Sequence, residues 1–432
     1  MTSLLAPWQK IDAIKTFVLP GLNFVMRAAD YLKSDLRKLR SCITKNVKKV
    51  CKLPTRAANS YIFAAREAGG LAFIDPNVDA GILVLTQVVR VLSSEDTMVR
   101  SVAMKQLTSV VHRTIHAAPT DEDIDKYLSG SSEGPLANSS NSGQASSLWS
   151  RARAAVRRLQ VTIRGANSGS VVVEYQLPDS GRTTEVASKG VTTALRQLQR
   201  IRSAQRLKSL PDQGKMARSL SNDHFANGSS WHASGRFMRF CDWNFIHRAR
   251  LNCLATNAAA KRWKPDSDGK CRRCPSQKTL PHILNHCHKN MVPTRRRHDL
   301  VQDRLVRAIK HGDVFVNQHV PGDPNPRERP DVTVIEGRKI TIVDVSIPFD
   351  NGPDACSIAA NAKVEKYANL RQALREAGND VQVHAFIVGS LDTWHQENEK
   401  TLGRLGVSKR YRTLMRKLYC IDAISGSRDI YI

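Results

Sequence analysis

A chain of 432 residues has room for two to four ordinary domains, and its 41% hydrophobic and 24% charged residues exclude wholesale disorder. No run of about 18 apolar residues occurs, and Lys10, Asp12 and Lys15 interrupt the N-terminal apolar pattern, so neither a membrane span nor a signal peptide is expected. The net charge of +27 is unevenly spread: residues 1–150 contribute +5, residues 151–320 contribute +21 and residues 321–432 contribute +1. A positive field concentrated in one segment points to a polyanionic partner.

Taken in chain order, Ile11, Ile14, Phe17 and Val18 recur at helical spacing before Pro20-Gly21, and a second helical stretch runs from Phe24 to Leu39. Helices are expected again at 79–92 and 97–115. From Ser129 to Ser147 the chain has eight serines in 19 residues, which predicts a flexible Ser/Gly-rich linker over 116–150. Residues 151–235 hold spaced arginines, a strand near Val171–Leu177 and a helix near Val191–Leu207. They show no strong apolar face, so a basic, partly disordered segment is expected there. Between Arg236 and Trp263, aromatic and basic residues interleave. That pattern serves either base stacking with phosphate neutralisation or a helix whose aromatics are core, with arginines such as Arg239, Arg248 and Arg250 available to nucleic acid. Beyond Arg295 the signals alternate: a helix to His311, strands at 314–320, 332–335 and 340–347, a helix at 357–377, a strand at 381–388 and a last helix at 401–424. The fold class expected is multidomain: an α-helical N-terminal region, a small zinc-binding module and an α/β domain with a small mixed sheet.

Nine cysteines, an odd number, are too few for a disulfide scaffold of this length. Cys271, Cys274, His282 and Cys287 follow C-x2-C-x7-H-x4-C. Three thiolates and one imidazole suit tetrahedral Zn2+, and a closed shell of four is structural. His286 and His288 are competing ligands with poorer spacing. Arg272 and Arg273, inside the motif, are candidate nucleic-acid contacts, as are Arg295, Arg296, Arg297 and His298 just after it.

Arg329-Pro330-Asp331 opens the apolar strand Val332–Ile335, Glu336–Lys339 forms a turn, and Ile340–Val345 runs back. In that register Ile335 opposes Ile340 and Asp331 opposes Asp344, which places both carboxylates on one face at roughly 5 Å between Cβ atoms. Two such carboxylates repel unless a cation lies between them, and Mg2+ bound by one or two carboxylates is the simplest answer. Lys363, Lys366 and Tyr367, three and four apart, offer a cationic partner on one helix face. The plainer alternatives are a turn aspartate, an exposed strand end and a solvated helix face.

Arg-Pro-Asp, twelve residues, Asp-Val and then a Lys-x-x-Lys-Tyr helix resemble the restriction-enzyme-like endonuclease of site-specific retrotransposons without long terminal repeats. That family carries a zinc knuckle of this spacing just upstream and an Arg-His element between the two, which Arg297-His298 is similar to. Trp8–Lys15, Leu19–Leu22 and residues 56–92 resemble the end of the family's reverse transcriptase, its thumb. The resemblance covers 1–115 and 236–432. It implies a thumb remnant at 1–115, a basic knuckle region at 236–294 and a restriction-like nuclease at 295–432. It further implies double-stranded target DNA and element RNA as partners, a nuclear location, and Asp331, Asp344, Lys363, Lys366 and Tyr367 as catalytic residues. This sequence departs from the family in two ways. No adjacent Asp pair for polymerase chemistry occurs anywhere, and Asp344 is followed by Val345-Ser346, so the lysine has to come from the helix. The rival expectation is a binding protein whose zinc knuckle holds RNA or DNA and whose carboxylates are structural.

Overall fold

The computed structural model describes residues 3–29, 31–137, 146–220, 235–261, 266 and 268–432. Its N-terminal helical run bends instead of stopping: Pro7–Ala13 continues through a widened turn at Ile14–Val18 into Leu19–Gly21. Pro20 has no N–H to give, and a wider turn accommodates it. The next helix covers only Asn23–Ala28, and a separate long helix spans Lys33–Val50, burying Leu36, Ile43 and Val47. The helix Pro76–Leu92 is buried nearly all round; Gln87 and Arg90 mark its outer side. Such a helix lies inside the protein. Its start is fixed by Pro76 in the first turn and by Asp75, whose carboxylate accepts from the Asn77 N–H at 3.0 Å and from Arg40 Nε at 2.7 Å.

Two expectations need correction here. Part of the segment read as a linker is folded. Thr120 and Asp123 form a capping box at the start of the helix Asp121–Leu128, which buries Ile124, Tyr127 and Leu128. The most serine-rich stretch, 138–145, lies outside the described residues. The segment read as basic and partly disordered is also folded over 146–220. The helix Leu148–Leu159 buries Trp149, Ala152, Ala155, Val156 and Leu159 on one face, between arginines. Strands β1 (Val161–Arg164), β2 (Val172–Gln176) and β3 (Thr183–Ala187) form an antiparallel sheet, and the helix Val191–Lys208 follows. The arginines there serve the fold. Arg153 is buried over the Tyr127 ring at 4.6 Å and donates to the Ser131 carbonyl at 2.6 Å, while Arg196 grips Asp79 at 2.7 and 2.9 Å. These elements close one core around Leu85, Val89, Trp149, Ile163 and Leu195.

The C-terminal sheet has the order β4 (Asp313–Val316), β5 (Val332–Glu336), β6 (Lys339–Ser346), β7 (Asp380–Ile387). Its first two pairings are antiparallel and its last is parallel. β5 and β6 meet at a two-residue loop in which Gly337 takes φ +60°, a conformation glycine adopts without strain. The crossover from β6 to β7 is helical, but Tyr367 divides it into Ala355–Lys366 and Ala368–Glu376. The last helix, Lys409–Tyr431, packs along Met291–Ala308, and a Cβ at Gly426 would fall 2.5 Å from Arg297 Cγ.

A second, larger core joins Ile11, Val47 and Tyr61 to Trp243, Ile283, Val343, Phe386 and Ile424, so the N-terminal helices and the C-terminal sheet share one interior. In the aromatic and basic segment, Trp243, Phe245 and His247 are buried on the helix Phe240–Arg250, whereas Phe237 and Phe240 stay exposed; Trp263 lies outside the described residues. Arg250 is not a nucleic-acid contact. Its guanidinium is fully buried and paired with the Asp392 carboxylate, where burial and the carboxylate together decide its state. Burial also pushes the Asp392 carboxyl up to about 6, against the pull of Arg250. Removing one partner of such a pair strands the other. Arg250→Ala is therefore expected to lower the unfolding free energy by about 3–5 kcal/mol, and Arg250→Met by less than Arg250→Ala, as read by urea denaturation.

Candidate active site and metal centre

The register of β5 and β6 brings the two expected carboxylates together. Val332 opposes Val343 and Ile335 opposes Ile340, which sets Asp331 beside Asp344 at the end of the hairpin. Asp331 Oδ2 accepts from the Val345 N–H at 2.6 Å and lies 3.1 Å from His298 Nε2. Burial alone would raise the Asp331 carboxyl, but the His298 hydrogen bond and charge, the Val345 N–H and the Lys363 charge outweigh it and hold it below the usual range. Burial likewise opposes the His298 imidazolium, and Asp331 and Asp299 overcome it, so His298 titrates above its ordinary value. Gln302, also on the helix Met291–Ala308, donates to the Asp331 carbonyl at 2.7 Å and fixes the backbone there.

Asp344 is almost fully buried, and two side chains from the crossover reach it. Lys363 Nζ pairs with Oδ2, and the Tyr367 hydroxyl donates to Oδ1 at 2.6 Å. Residues 363 and 367 are one helical turn apart, so a single face delivers both. Burial raises the Tyr367 hydroxyl far above its ordinary value, helped by Asp344, then Asp331 and Glu328. Lys366 reaches the cluster only at second hand: it is exposed, and its Nζ lies 2.7 Å from the Tyr367 hydroxyl. Sequence reasoning missed Glu328. Its charge is felt at Tyr367, and its Oε2 is buried without a hydrogen-bond partner among the described residues. Its position three residues before Asp331, outside any strand, left no periodic signal. His298, expected among the nucleic-acid contacts, lies beside this cluster through its contact with Asp331.

The ligand atoms of Cys271, Cys274, His282 and Cys287 all lie within 4.8 Å of one another. Cys274 Sγ is 3.2 Å from His282 Nε2 and 3.9 Å from Cys287 Sγ, spacings that suit four ligands about one tetrahedral ion at roughly 2.0–2.3 Å. The cluster can hold zinc; His286 and His288 are not part of it. A Lys270–Gln277 bridge and the Cys271 N–H on the Ser276 carbonyl at 2.8 Å shape the first half of the knuckle. The second half is tied to the sheet by Asn285, whose amide donates to the Ile347 carbonyl at 2.6 Å.

The other expected nucleic-acid contacts divide by burial. Arg272, Arg273, Arg295 and Arg296 are exposed, and Arg273 also donates to Asn290 at 2.7 Å. Arg248 is half-buried. Arg239 is clamped to Asp242 at 2.7 and 3.0 Å and to the Ser425 hydroxyl at 2.6 Å. Arg297 is a correction: it is buried, donating to the Ser427 hydroxyl at 2.9 Å and the Leu284 carbonyl at 3.1 Å. Successive helical residues point about 100° apart, so one neighbour goes to the interior while the other meets Asp331.

Two outcomes are expected. Purified protein should carry one zinc per chain by elemental analysis, and Cys274→Ser should lose it. Asp331, with a lowered folded value, contributes stability that is lost as pH falls through the carboxylate range. His298, with a raised folded value, contributes stability present below its unfolded value and lost as pH rises through its folded one. The melting difference between wild type and His298→Gln should therefore be largest between about pH 4.5 and about 6.5 and shrink above it.

No protein-family model matches the chain. Among curated proteins it is similar to the Retrovirus-related Pol polyprotein from type-1 retrotransposable element R2 of Popillia japonica, 26% identical over 223 residues covering 48% of this chain and 45% of the relative. It is also similar to the Retrovirus-related Pol polyprotein from type-2 retrotransposable element R2DM of Drosophila melanogaster, 24% identical over 171 residues covering 38% of this chain and 16% of the relative. An uncharacterized protein of Caenorhabditis elegans is 25% identical over 269 residues, 59% of this chain and 75% of that protein. The chain thus spans less than half the length of the two retrotransposon polyproteins. At this modest identity the chain is similar to part of the R2 Pol polyproteins of retrotransposons.

Proposed function

We propose that this chain is the C-terminal part of a retrotransposon polyprotein and that it nicks double-stranded target DNA, leaving a 3′-hydroxyl from which the element RNA is copied. Residues 1–115 then correspond to a thumb remnant, 236–294 to a zinc-bearing binding region and 295–432 to the nuclease, working in the nucleus where chromosomal DNA is found. Exposed Arg272, Arg273, Arg295 and Arg296 would meet phosphates. The observation that carries the reading is the meeting of Asp331 and Asp344 at the hairpin end with Lys363 against them.

The donor set fits Mg2+, which prefers oxygen ligands. Asp331, Asp344 and the unpaired Oε2 of Glu328 would hold it. When bound, the ion would polarise a phosphate oxygen and acidify a water. This chain's own residues supply the rest. His298 keeps Asp331 ionised, Tyr367 orients Asp344, and Lys363 offers a positive charge to the developing phosphorane. One observation favours the second reading, a non-catalytic zinc-knuckle binder: both aspartates already have cationic partners within the protein, Asp331 in His298 and Asp344 in Lys363.

Nicking of supercoiled plasmid in Mg2+ separates the two. Asp331→Asn, Asp344→Asn and Lys363→Ala should each lower cutting by at least about a hundredfold while DNA binding in gel shift persists. Lys366→Ala should retain most cutting, because it touches only Tyr367. The Asn variants should not gain stability, since His298 and Lys363 already offset the repulsion. Wild-type protein that binds but never nicks would establish the binder.

A further inference from the structure

Between the two cores lies a cavity of about 170 Å3 that the carboxylate and zinc clusters do not reach. Phe63 from the larger core and Leu195 from the smaller one give it apolar walls. Arg158, Arg202 and Arg206 line it on one side, and Gln199 borders it from the helix Val191–Lys208.

Three features say what it takes. Arg158 and Arg206 are exposed, and their guanidinium groups make no hydrogen bond or ion pair among the described residues, whereas Arg202 is already committed to the Leu159 carbonyl. Gln199 is 7% exposed, and both its amide nitrogen and its amide oxygen are buried without a partner among the described residues. A buried amide of that kind is unfavourable until a donor and an acceptor arrive together. The cavity is also smaller than the roughly 300–1,000 Å3 of sites for drug-sized ligands, so one ring fits and an extended molecule does not. The only lining carboxylate, Asp75, is neutralised by Arg40 at 2.7 Å.

Apolar walls, a paired donor and acceptor, and exposed guanidinium groups in the lining match a nucleotide: a ring to cover, a base edge to read and a phosphate to pair. A bare phosphate would leave the walls and the amide unused, and a base stacked in a duplex cannot enter. We propose that this cavity receives one unstacked base of single-stranded nucleic acid, with Arg158 and Arg206 on the adjoining phosphate and Gln199 on the base edge. The site does not depend on the nuclease reading. An Asp344→Asn chain should bind single strands as wild type does.

The test uses the full chain with labelled single-stranded RNA and DNA homopolymers of each base, a hairpin duplex, and free nucleoside monophosphates as competitors. Arg158→Ala/Arg206→Ala should weaken single-strand binding about tenfold and flatten its salt dependence, leaving duplex binding and melting temperature unchanged. Gln199→Leu, which removes an unpaired amide and so should fold, is expected to abolish a preference of about tenfold among the four bases. Photoactivatable bases in the preferred strand should crosslink to residues 191–208. Equal RNA and DNA binding would show that base and phosphate suffice, as proposed. Unchanged binding by the double variant would overturn the proposal, as would a base preference that survives Gln199→Leu. Competition by free monophosphates at the strand's own affinity would also overturn it, in favour of a small-nucleotide site.

Discussion

A single turn of the helix Met291–Ala308 holds the C-terminal half together. Arg297 is buried with only a hydroxyl and a carbonyl as hydrogen-bond acceptors among the described residues, and burial lowers its guanidinium to about 10 against the pull of Asp350. It stays charged at neutral pH, and a buried charge tolerates little displacement of its partners. Those partners belong to the second half of the knuckle (Leu284) and to the last helix (Ser427). The next residue, His298, fixes Asp331. The geometry at the carboxylates thus depends on a charge that never meets solvent.

The parts legible in the sequence were those set by local arithmetic. Hairpin pairing is a fixed sum of residue numbers once the turn is found, so the meeting of Asp331 and Asp344 could be read without coordinates. Ligand spacing in the knuckle is similarly a property of a short segment. Helical spacing brought Lys363 and Tyr367 to one face, but not the break at Tyr367 that leaves Lys366 outside. What stayed hidden depends on distant partners. Nothing near Arg250 announces Asp392, which lies 142 residues away. Nothing near Glu328 announces that its charge is felt at a tyrosine of the crossover.

The basic middle segment shows why charge was a poor guide to order. Spaced arginines without a strong apolar face suggested a partly disordered segment, yet arginine stems can cover apolar surface and their heads can satisfy carbonyls. Arg153 over Tyr127 and Arg196 on Asp79 are such cases. Ala152 and Ala155 complete the buried face that Trp149, Val156 and Leu159 begin. The guanidinium groups of Arg158 and Arg206, by contrast, are exposed and have no partner among the described residues.

The bond from Asn285 to Ile347 has a practical consequence. Ile347 follows directly on the strand that carries Asp344, so the knuckle and the carboxylates are mechanically joined over a few residues. An agent that strips an ion from the knuckle would free Asn285 and slacken that strand end. For this molecule EDTA is therefore an ambiguous reagent: silence after chelation would follow from loss of a scaffold ion as readily as from loss of a reacting one. Only restoring each metal separately tells them apart.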